Sequence, residues 1–477
     1  QSLVTVECFD TAQKGQVTIN KTGEVFSSVT ETDGIFQPVY AEGGLAGAVY
    51  ILTAAEDIYT PDGTLRLAAG ELAAELTTGE DGTATSEPLY LGHYLLTERT
   101  APEGYVLDET PIEVELTYAG QEVEVTQTAV SCMDERQKVK ISLDKQMESD
   151  DTFDIQGDPT AVTFGLYAAE KLMAADGTEL PQDGLLELAS VTEGGTLTFQ
   201  SDLPLGHYYL KEVSTDKGYI CAGTIYPVDF DYAGQDIPLV ELKANDGEAV
   251  ENDLLRGSVQ GQKNADDDSI QQGVIFGLFR PGEADPILTT VTQENGRFSF
   301  ENIPFGHYEV RELSGLDGYT VDETSYAMDI TEDGCVVELT VTDEQTKFEI
   351  SKRDITNDEE LPGAELTVSE LDGTEVERWI SGDAPHSITG LMVGKTYRLT
   401  EVSAPNGFKM AESILFTVEN TGEVQRVVMY DAPVPTEPVT APKTGDTVRI
   451  GPWLGLGAAA LGGLCALLII HRKRGGR

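Results

Sequence analysis

Apolar side chains recur at every second position in short runs along this chain, and Gly, Pro, Asn and Asp punctuate the runs. That pattern predicts half-buried β-strands joined by turns. One run is repeated four times. Tyr94, Leu96 and Glu98 share a strand face, as do Tyr208, Leu210 and Glu212, then Tyr308, Val310 and Glu312, and finally Tyr397, Leu399 and Glu401. The opposite face carries Thr97, Lys211, Glu309, Arg311, Arg398 and Thr400, so each glutamate points with the apolar row into a core. A Gly-aromatic pair follows each glutamate, ending at Tyr105, Tyr219, Tyr319 and Phe408. Four tandem units of this kind predict an all-β chain of β-sandwich domains.

A buried carboxylate is costly without a partner, and each unit supplies candidates. Upstream of every glutamate, the apolar face of a strand ends in lysine: Val17-Ile19-Lys21, Val139-Ile141-Leu143-Lys145, Val259-Gly261-Lys263 and Phe348-Ile350-Lys352. Downstream, another apolar face ends in Asp or Asn: Val130-Cys132-Asp134, Val250-Asn252, Val337-Leu339-Val341-Asp343 and Val427-Met429-Asp431. The acceptor precedes the next lysine by 11, 11 and 9 residues, and Val4-Val6-Cys8-Asp10 ends 11 residues before Lys21. Asp10 is therefore expected to close a preceding, truncated unit at 1–14. The predicted domains are 15–135, 136–253, 254–344 and 345–432. Burial disfavours charge, lowering a lysine pKa and raising carboxyl pKa values, so these groups are candidates for a neutral amine facing a protonated acid. A buried Lys-Glu-Asp ion cluster without further chemistry, or a lysine that snorkels to the rim, is the alternative.

Smaller features modify the picture. The first unit is long, with an insertion expected around 41–78, and polar inserts are expected at 147–159 and 264–272. The acidic stretches at 148–154 and Asp266-Asp267-Asp268 lack calcium-loop spacing and read as solvated loops. His93, His207 and His307 recur before the Tyr of each row but face away from it, as turn residues at a strand start. The five cysteines (Cys8, Cys132, Cys221, Cys335 and Cys465) form no metal-spaced or paired set, so neither a metal site nor a cofactor site is expected. Cys8 and Cys132 read as small buried apolar residues.

Composition narrows the function. Lys plus Arg number 31 against 83 Asp plus Glu, which makes a nucleic-acid partner very unfavourable. With 40% hydrophobic residues the acidity coats folded domains and does not mark a disordered chain. Residues 450–470 form an uncharged run of 21, enough for a helix of roughly 30 Å that crosses a bilayer. Arg472, Lys473, Arg474 and Arg477 follow it, which places the tail inside and the rest of the chain outside. Pro433, Pro435, Pro438 and Pro442 predict an extended spacer ahead of this span. The first residues contain no basic stretch and no apolar signal core, so an exported protein of this kind is expected to have more chain upstream.

Ala441-Pro442-Lys443-Thr444-Gly445-Asp446, followed by an apolar span and a basic tail, resembles the cell-wall sorting signal of Gram-positive surface proteins, with core motif Leu-Pro-x-Thr-Gly. Here Ala441 stands where Leu is commonest. The resemblance implies that a sortase cleaves between Thr444 and Gly445 and joins the chain to peptidoglycan, with 433–446 as linker and motif and 447–477 as transmembrane helix and tail.

The lysine, glutamate and Asp/Asn rows resemble those of SpaA-type prealbumin-like (Ig-like sandwich) domains and the related B-type repeats of collagen-binding surface proteins, over about residues 15–432. In that family the lysine and the Asn or Asp form an intramolecular isopeptide bond assisted by the glutamate. Carried over, the sets are Lys21, Glu98 and Asp134; Lys145, Glu212 and Asn252; Lys263, Glu312 and Asp343; and Lys352, Glu401 and Asp431. The neutral amine attacks the side-chain carbonyl carbon while the glutamate hydrogen-bonds the carbonyl oxygen and relays protons, with water leaving from Asp and ammonia from Asn. The reaction is single-turnover, so the chain is not expected to be an enzyme. By the loop-entropy model for cross-links, closing 80 residues (Lys352 to Asp431) or 114 residues (Lys21 to Asp134) is worth about 4 to 5 kcal/mol each.

The resemblance implies a stalk of an adhesin or pilin-like protein, extracellular and attached to the wall. Three alternatives stay open: a sortase-polymerised pilus subunit, a stalk for an upstream secreted enzyme, and a protein whose domains bind a host protein or polysaccharide. No dedicated reactive lysine of a pilin motif stands out, although Lys14 falls in a predicted linker.

Overall fold

A computed structural model describes residues 6–7, 10–269 and 271–435. Apart from two single 3-10 turns at Pro159–Ala161 and Asn245–Gly247, the regular structure among these residues is β-strand. No helix among them is long and apolar enough to cross a membrane. The predicted span at 450–470, its tail and the residues of the sorting motif lie outside the described residues.

The alternation seen in the sequence becomes burial. In Lys14–Thr32 the residues from Gly15 to Gly23 alternate between buried and half-buried positions, which sends Val17, Ile19 and Lys21 to one side. This strand pairs in parallel with Val125–Asp134. The facing sheet runs in the order Ile112–Leu116, Gly92–Thr100, Val49–Ala54 and Leu72–Thr77. Between the two lies a core of Val17, Ile19, Tyr50, Leu52, Tyr94 and Leu96. The arrangement recurs. Lys138–Met147 pairs in parallel with Leu239–Lys243 and Val250–Asn252, and Thr163–Ala168 and Gly206–Ser214 lie side by side across a second core built on Phe164, Leu166, Tyr208 and Leu210. Arg256–Ala265 lies between Arg297–Pro304 and Val336–Asp343, opposite Ile275–Phe279 and Gly306–Ser314, around a third core.

Two compact units divide the described residues: those up to 350 with 386–397 and 415–427, and 351–385 with 398–414 and 428–435. Lys347–Asp354 lies between His386–Thr389 and Val424–Pro433 in one sheet. Glu375–Ile380, Glu365–Glu370, Thr396–Ser403 and Ile414–Thr417 follow in that order in another.

Three expectations change. The extra length of the first unit lies only in part at 41–78, where Ile58–Tyr59 pairs with Leu65–Leu67. Its first strand runs on past Lys21 to Thr32, turns at Asp33 and Gly34 with φ of 53° and 82°, and returns as Ile35–Gly44. A two-residue turn with both φ values positive matches the twist of the strands it joins, and Asp-Gly is the pair that adopts it. The resulting arm pairs with the second sandwich at Ile35 and Leu185 and accepts hydrogen bonds from the backbone of Ala175 and Asp176. The stretch 148–154 is solvated only in part, with Ser149, Asp151, Thr152 and Asp154 exposed. Glu148 and Asp150 hold Arg256 at 2.7 and 2.9 Å, and Phe153, 6% exposed, packs edge-on against Tyr308 in the third core. Asp266, Asp267 and Asp268 are exposed, as a solvated loop requires, and Asp266 pairs with Lys347 at 2.9 Å. Finally, Lys14 opens a strand, with Nζ 4.9 Å above the Tyr90 ring, and is not part of a linker.

Candidate functional site

Parallel pairing of a first and a last strand fixes what the lysine can reach. Lys21 lies beside Cys132, and Asp134 beside Gly23. Residues two apart share a face, so Asp134 is the diagonal neighbour of Lys21, within reach of its four-carbon stem. The same offset recurs with Lys145 beside Val250 and Asn252 beside Met147, and with Lys263 beside Val341 and Asp343 beside Ala265.

The glutamate arrives from the facing sheet. Glu98, Glu212 and Glu312 pair with Tyr50, Phe164 and Phe276, and in each case the register shifts at the next step. A β-bulge of this kind bends a strand and re-aims the adjacent side chain. Its recurrence beside three glutamates makes it part of the site. The aromatic partner also covers the lysine, with Lys21 Nζ 5.4 Å from the Tyr50 ring and Lys263 Nζ 5.8 Å from that of Phe276.

Three sites close into contact. Lys21 Nζ touches Asp134 Oδ1 and lies 3.0 Å from Glu98 Oε1. Lys263 Nζ touches Asp343 Oδ1 and lies 2.6 Å from Glu312 Oε2. Lys352 Nζ touches Asp431 Oδ1 and lies 3.1 Å from Glu401 Oε1. All three lysines are 1% exposed. The backbone N–H of Asp108, Asp322 and Ala411, each ten residues beyond its glutamate, donates to that glutamate's Oε2 at 3.3, 3.3 and 2.6 Å.

The second site shares the strand register but not the contact. Lys145 Nζ donates to the carbonyls of Gln146 and Val250, both at 3.0 Å. The Asn252 amide nitrogen donates instead to Glu212 Oε1 at 2.6 Å and to Thr215 Oγ1 at 2.7 Å.

Burial dominates the electrostatics. It pushes the Glu98 and Asp134 carboxyls up, and Asp343 with them. Glu312 rises to about 7 and Asp431 to about 6. Burial also pulls the Lys145 ammonium down to about 8. One acceptor oxygen per site has no hydrogen-bond partner: Asp134 Oδ2, Asp343 Oδ2, Asp431 Oδ2 and Asn252 Oδ1. A lysine nitrogen against a carboxyl that resists ionisation, with a second carboxyl able to hold a proton, is the arrangement that amide condensation needs.

The remaining predicted residues divide plainly. Asp10 is exposed. Cys132 is buried beneath the first site, whereas Cys8, Cys465 and the sorting motif Pro442, Lys443, Thr444 and Gly445 lie outside the described residues. His207 and His307 are exposed and pair with Asp229 and Asp329 across the neighbouring strand at 2.7 and 2.6 Å. Among the described residues no cluster of His, Cys, Asp and Glu could hold a metal ion. The Gly-Tyr pair had no assigned role in the sequence. Tyr105 and Tyr219 donate from their hydroxyls to the carbonyls of Glu24 and Glu148 at 2.8 and 2.7 Å, and Tyr319 donates to Asp267 at 2.9 Å. Each tyrosine thus straps the segment just beyond a site lysine, after a glycine at φ of 91°, 91° or 89° that a side chain would strain. Phe408 lacks the hydroxyl but pairs in the backbone with Pro433, as Tyr105, Tyr219 and Tyr319 pair with Arg136, Leu254 and Gln345.

No curated protein matches the chain. Among solved structures it is similar to the Bacillus anthracis TIE protein, at 16% identity and TM-score 0.41 over 87% of this chain and 75% of that one. It is similar to BcpA, the major pilin subunit of Bacillus cereus, at 16% identity and TM-score 0.33 over 70% and 100%, and to a streptococcal ancillary pilin at 18% identity and TM-score 0.21 over 70% and 99%. The family described as the SpaA prealbumin-like fold domain matches residues 38–130, 257–345 and 346–433, more than half of the chain. The middle segment at 136–253 falls outside those matches, yet it repeats the parallel lysine-to-acceptor register of its neighbours. Tandem domains with this pairing, matched over that extent, place the chain in the SpaA prealbumin-like fold domain family.

Proposed function

We propose that this chain is the stalk of a Gram-positive cell-surface protein, built from four domains at 15–135, 136–253, 254–344 and 345–432 that each cross-link themselves. The observation that carries this reading is the contact of Lys21, Lys263 and Lys352 with Asp134, Asp343 and Asp431 in buried sites that also hold a glutamate. In each, the neutral Nζ adds to the Asp Cγ, the carboxyl oxygen leaves as water with a proton relayed by the glutamate, and an Nζ–Cγ amide remains. In the second domain the leaving group is ammonia. The first strand is then tied to the last, which suits a protein that transmits tension and explains how an exported chain can leave Cys132, Cys221 and Cys335 as free thiols. Sortase cleavage after Thr444 and transfer to peptidoglycan belong to the same reading, as does an extracellular location.

Intact mass of the chain tests the proposal. The expected deficit is three waters and one ammonia, restored when Glu98, Glu212, Glu312 and Glu401 are replaced by Ala. A mass equal to that of the linear sequence would sink it.

A further inference from the structure

Three acceptors are Asp and one is Asn, and the site around the Asn differs in one residue that matches its chemistry. An Asn amide has two N–H donors, where a carboxyl has at most one O–H. Buried, both need acceptors, and one glutamate oxygen can serve only one of them well. At Asn252 the second is Thr215 Oγ1, three residues beyond Glu212. The equivalent positions beside the Asp acceptors are Ala101, Gly315 and Ala404, none with a hydroxyl. That position borders the glutamate elsewhere too: a Cβ on Gly315 would lie 3.1 Å from Glu312 Oε1.

We infer that Thr215 is a positioning residue that, with Glu212, grips the departing nitrogen of Asn252 and so adapts the second site to expel ammonia. This rests on the isopeptide reading proposed above. The two bonds orient the amide with its nitrogen toward Glu212 and Thr215. Lys145 is held beside the acceptor strand at the carbonyl of Val250, two residues before Asn252. In the step itself, neutral Lys145 Nζ adds to Asn252 Cγ and the Cγ–Nδ2 bond breaks. Nδ2 leaves with its two hydrogens and the one shed by Nζ, which Glu212 relays. One amide replaces another and nothing is oxidised or reduced. Thr215 neither gives nor takes a proton; it fixes which side of the amide faces Glu212.

The test follows closure in time. The full chain is made by cell-free synthesis and quenched in acid at intervals, and the peptide joining Lys145 to Asn252 is quantified by mass spectrometry. The expected result is that Thr215→Val, which keeps the shape and removes the hydroxyl, slows this cross-link by about tenfold, the loss of one hydrogen bond of about 1.4 kcal/mol. Thr215→Ser should restore the rate. In an Asn252→Asp background, Thr215→Val should change it less than twofold. Closure of the third domain in the same molecules reports that folding is intact. Unchanged closure in Thr215→Val overturns the inference, as does equal slowing in the Asn and Asp backgrounds. Absence of the 145–252 cross-link from the unaltered chain while the others form overturns the isopeptide reading for this domain and the inference with it, a result distinct from both.

Discussion

A lysine buried beside a glutamate and an aspartate cannot carry three full charges without water to solvate them. The contacts of Lys263 with Glu312 and Asp343 therefore favour states with a proton shared among the three groups, and Glu312 at about 7 marks where that proton is lost. The sign follows from burial. A carboxyl raised from 4.5 in the unfolded chain favours the folded state most below 4.5, and that contribution fades as pH climbs through about 7. Closure of the third site should accordingly slow above about pH 7, by up to about tenfold per unit as protonated Glu312 is depleted. Timed formation of the Lys263–Asp343 peptide across pH 5 to 9 checks this, and a rate that keeps rising with pH contradicts it. Replacing Glu312 by Ala should abolish the third cross-link alone and lower stability by about 4 to 5 kcal/mol, read from denaturant unfolding.

These residues were legible because a charged side chain that interrupts an apolar row is conspicuous in the sequence. Whether the charges meet was not. Lys145 and Asn252 follow the same alternation and register as the others, and only the positions of Glu212 and Thr215 draw the amide away from the lysine.

Among elements, the strands that alternate were read directly, whereas those that serve a neighbouring sandwich were not. Alternation reports that one face is buried but not against what. The arm of Lys14–Thr32 and Ile35–Gly44 covers part of the second sandwich with Val29 and Phe36. The Asp33-Gly34 turn was its available signal. The segment at 148–154 looked solvated because five of its seven residues are Asp, Glu or Ser, yet Arg256 neutralises two of them and Phe153 does the packing. The bulges beside Glu98, Glu212 and Glu312 have no sequence mark at all, since they are properties of a pair of strands. Phe153→Ala should destabilise the third sandwich by about 3 kcal/mol. Measured in the Glu312→Ala background by thermal unfolding, where covalent closure cannot mask it, the loss should be plain; an unchanged midpoint would deny Phe153 its packing role. Arg136, stacked 3.7 Å from the Tyr40 ring and paired with Glu24 and Asp202, holds the first arm in the same manner.

For the whole molecule, the acidity of the sequence separates into two populations. Most carboxylates are exposed and solvated, while the site carboxylates are almost fully buried. Under tension, a closed site should hide the chain between its lysine and its acceptor. In single-molecule pulling, the unaltered first domain should show no unfolding step, and Glu98→Ala should release up to roughly 380 Å for the 113 residue steps from Lys21 to Asp134.

The parallel pairing of first and last strands has one more consequence once the sites are closed. The covalent route along the molecule then enters at Lys14, leaves the main chain at Lys21, re-enters at Asp134, and continues through Lys145, Asn252, Lys263, Asp343 and Lys352 to Asp431. The long stretches between each lysine and its acceptor become side loops. A protease that cuts inside one of them nicks the protein without severing it, so between Lys21 and Asp431 only the short segments that join one acceptor to the next lysine are points where a single cleavage parts the chain.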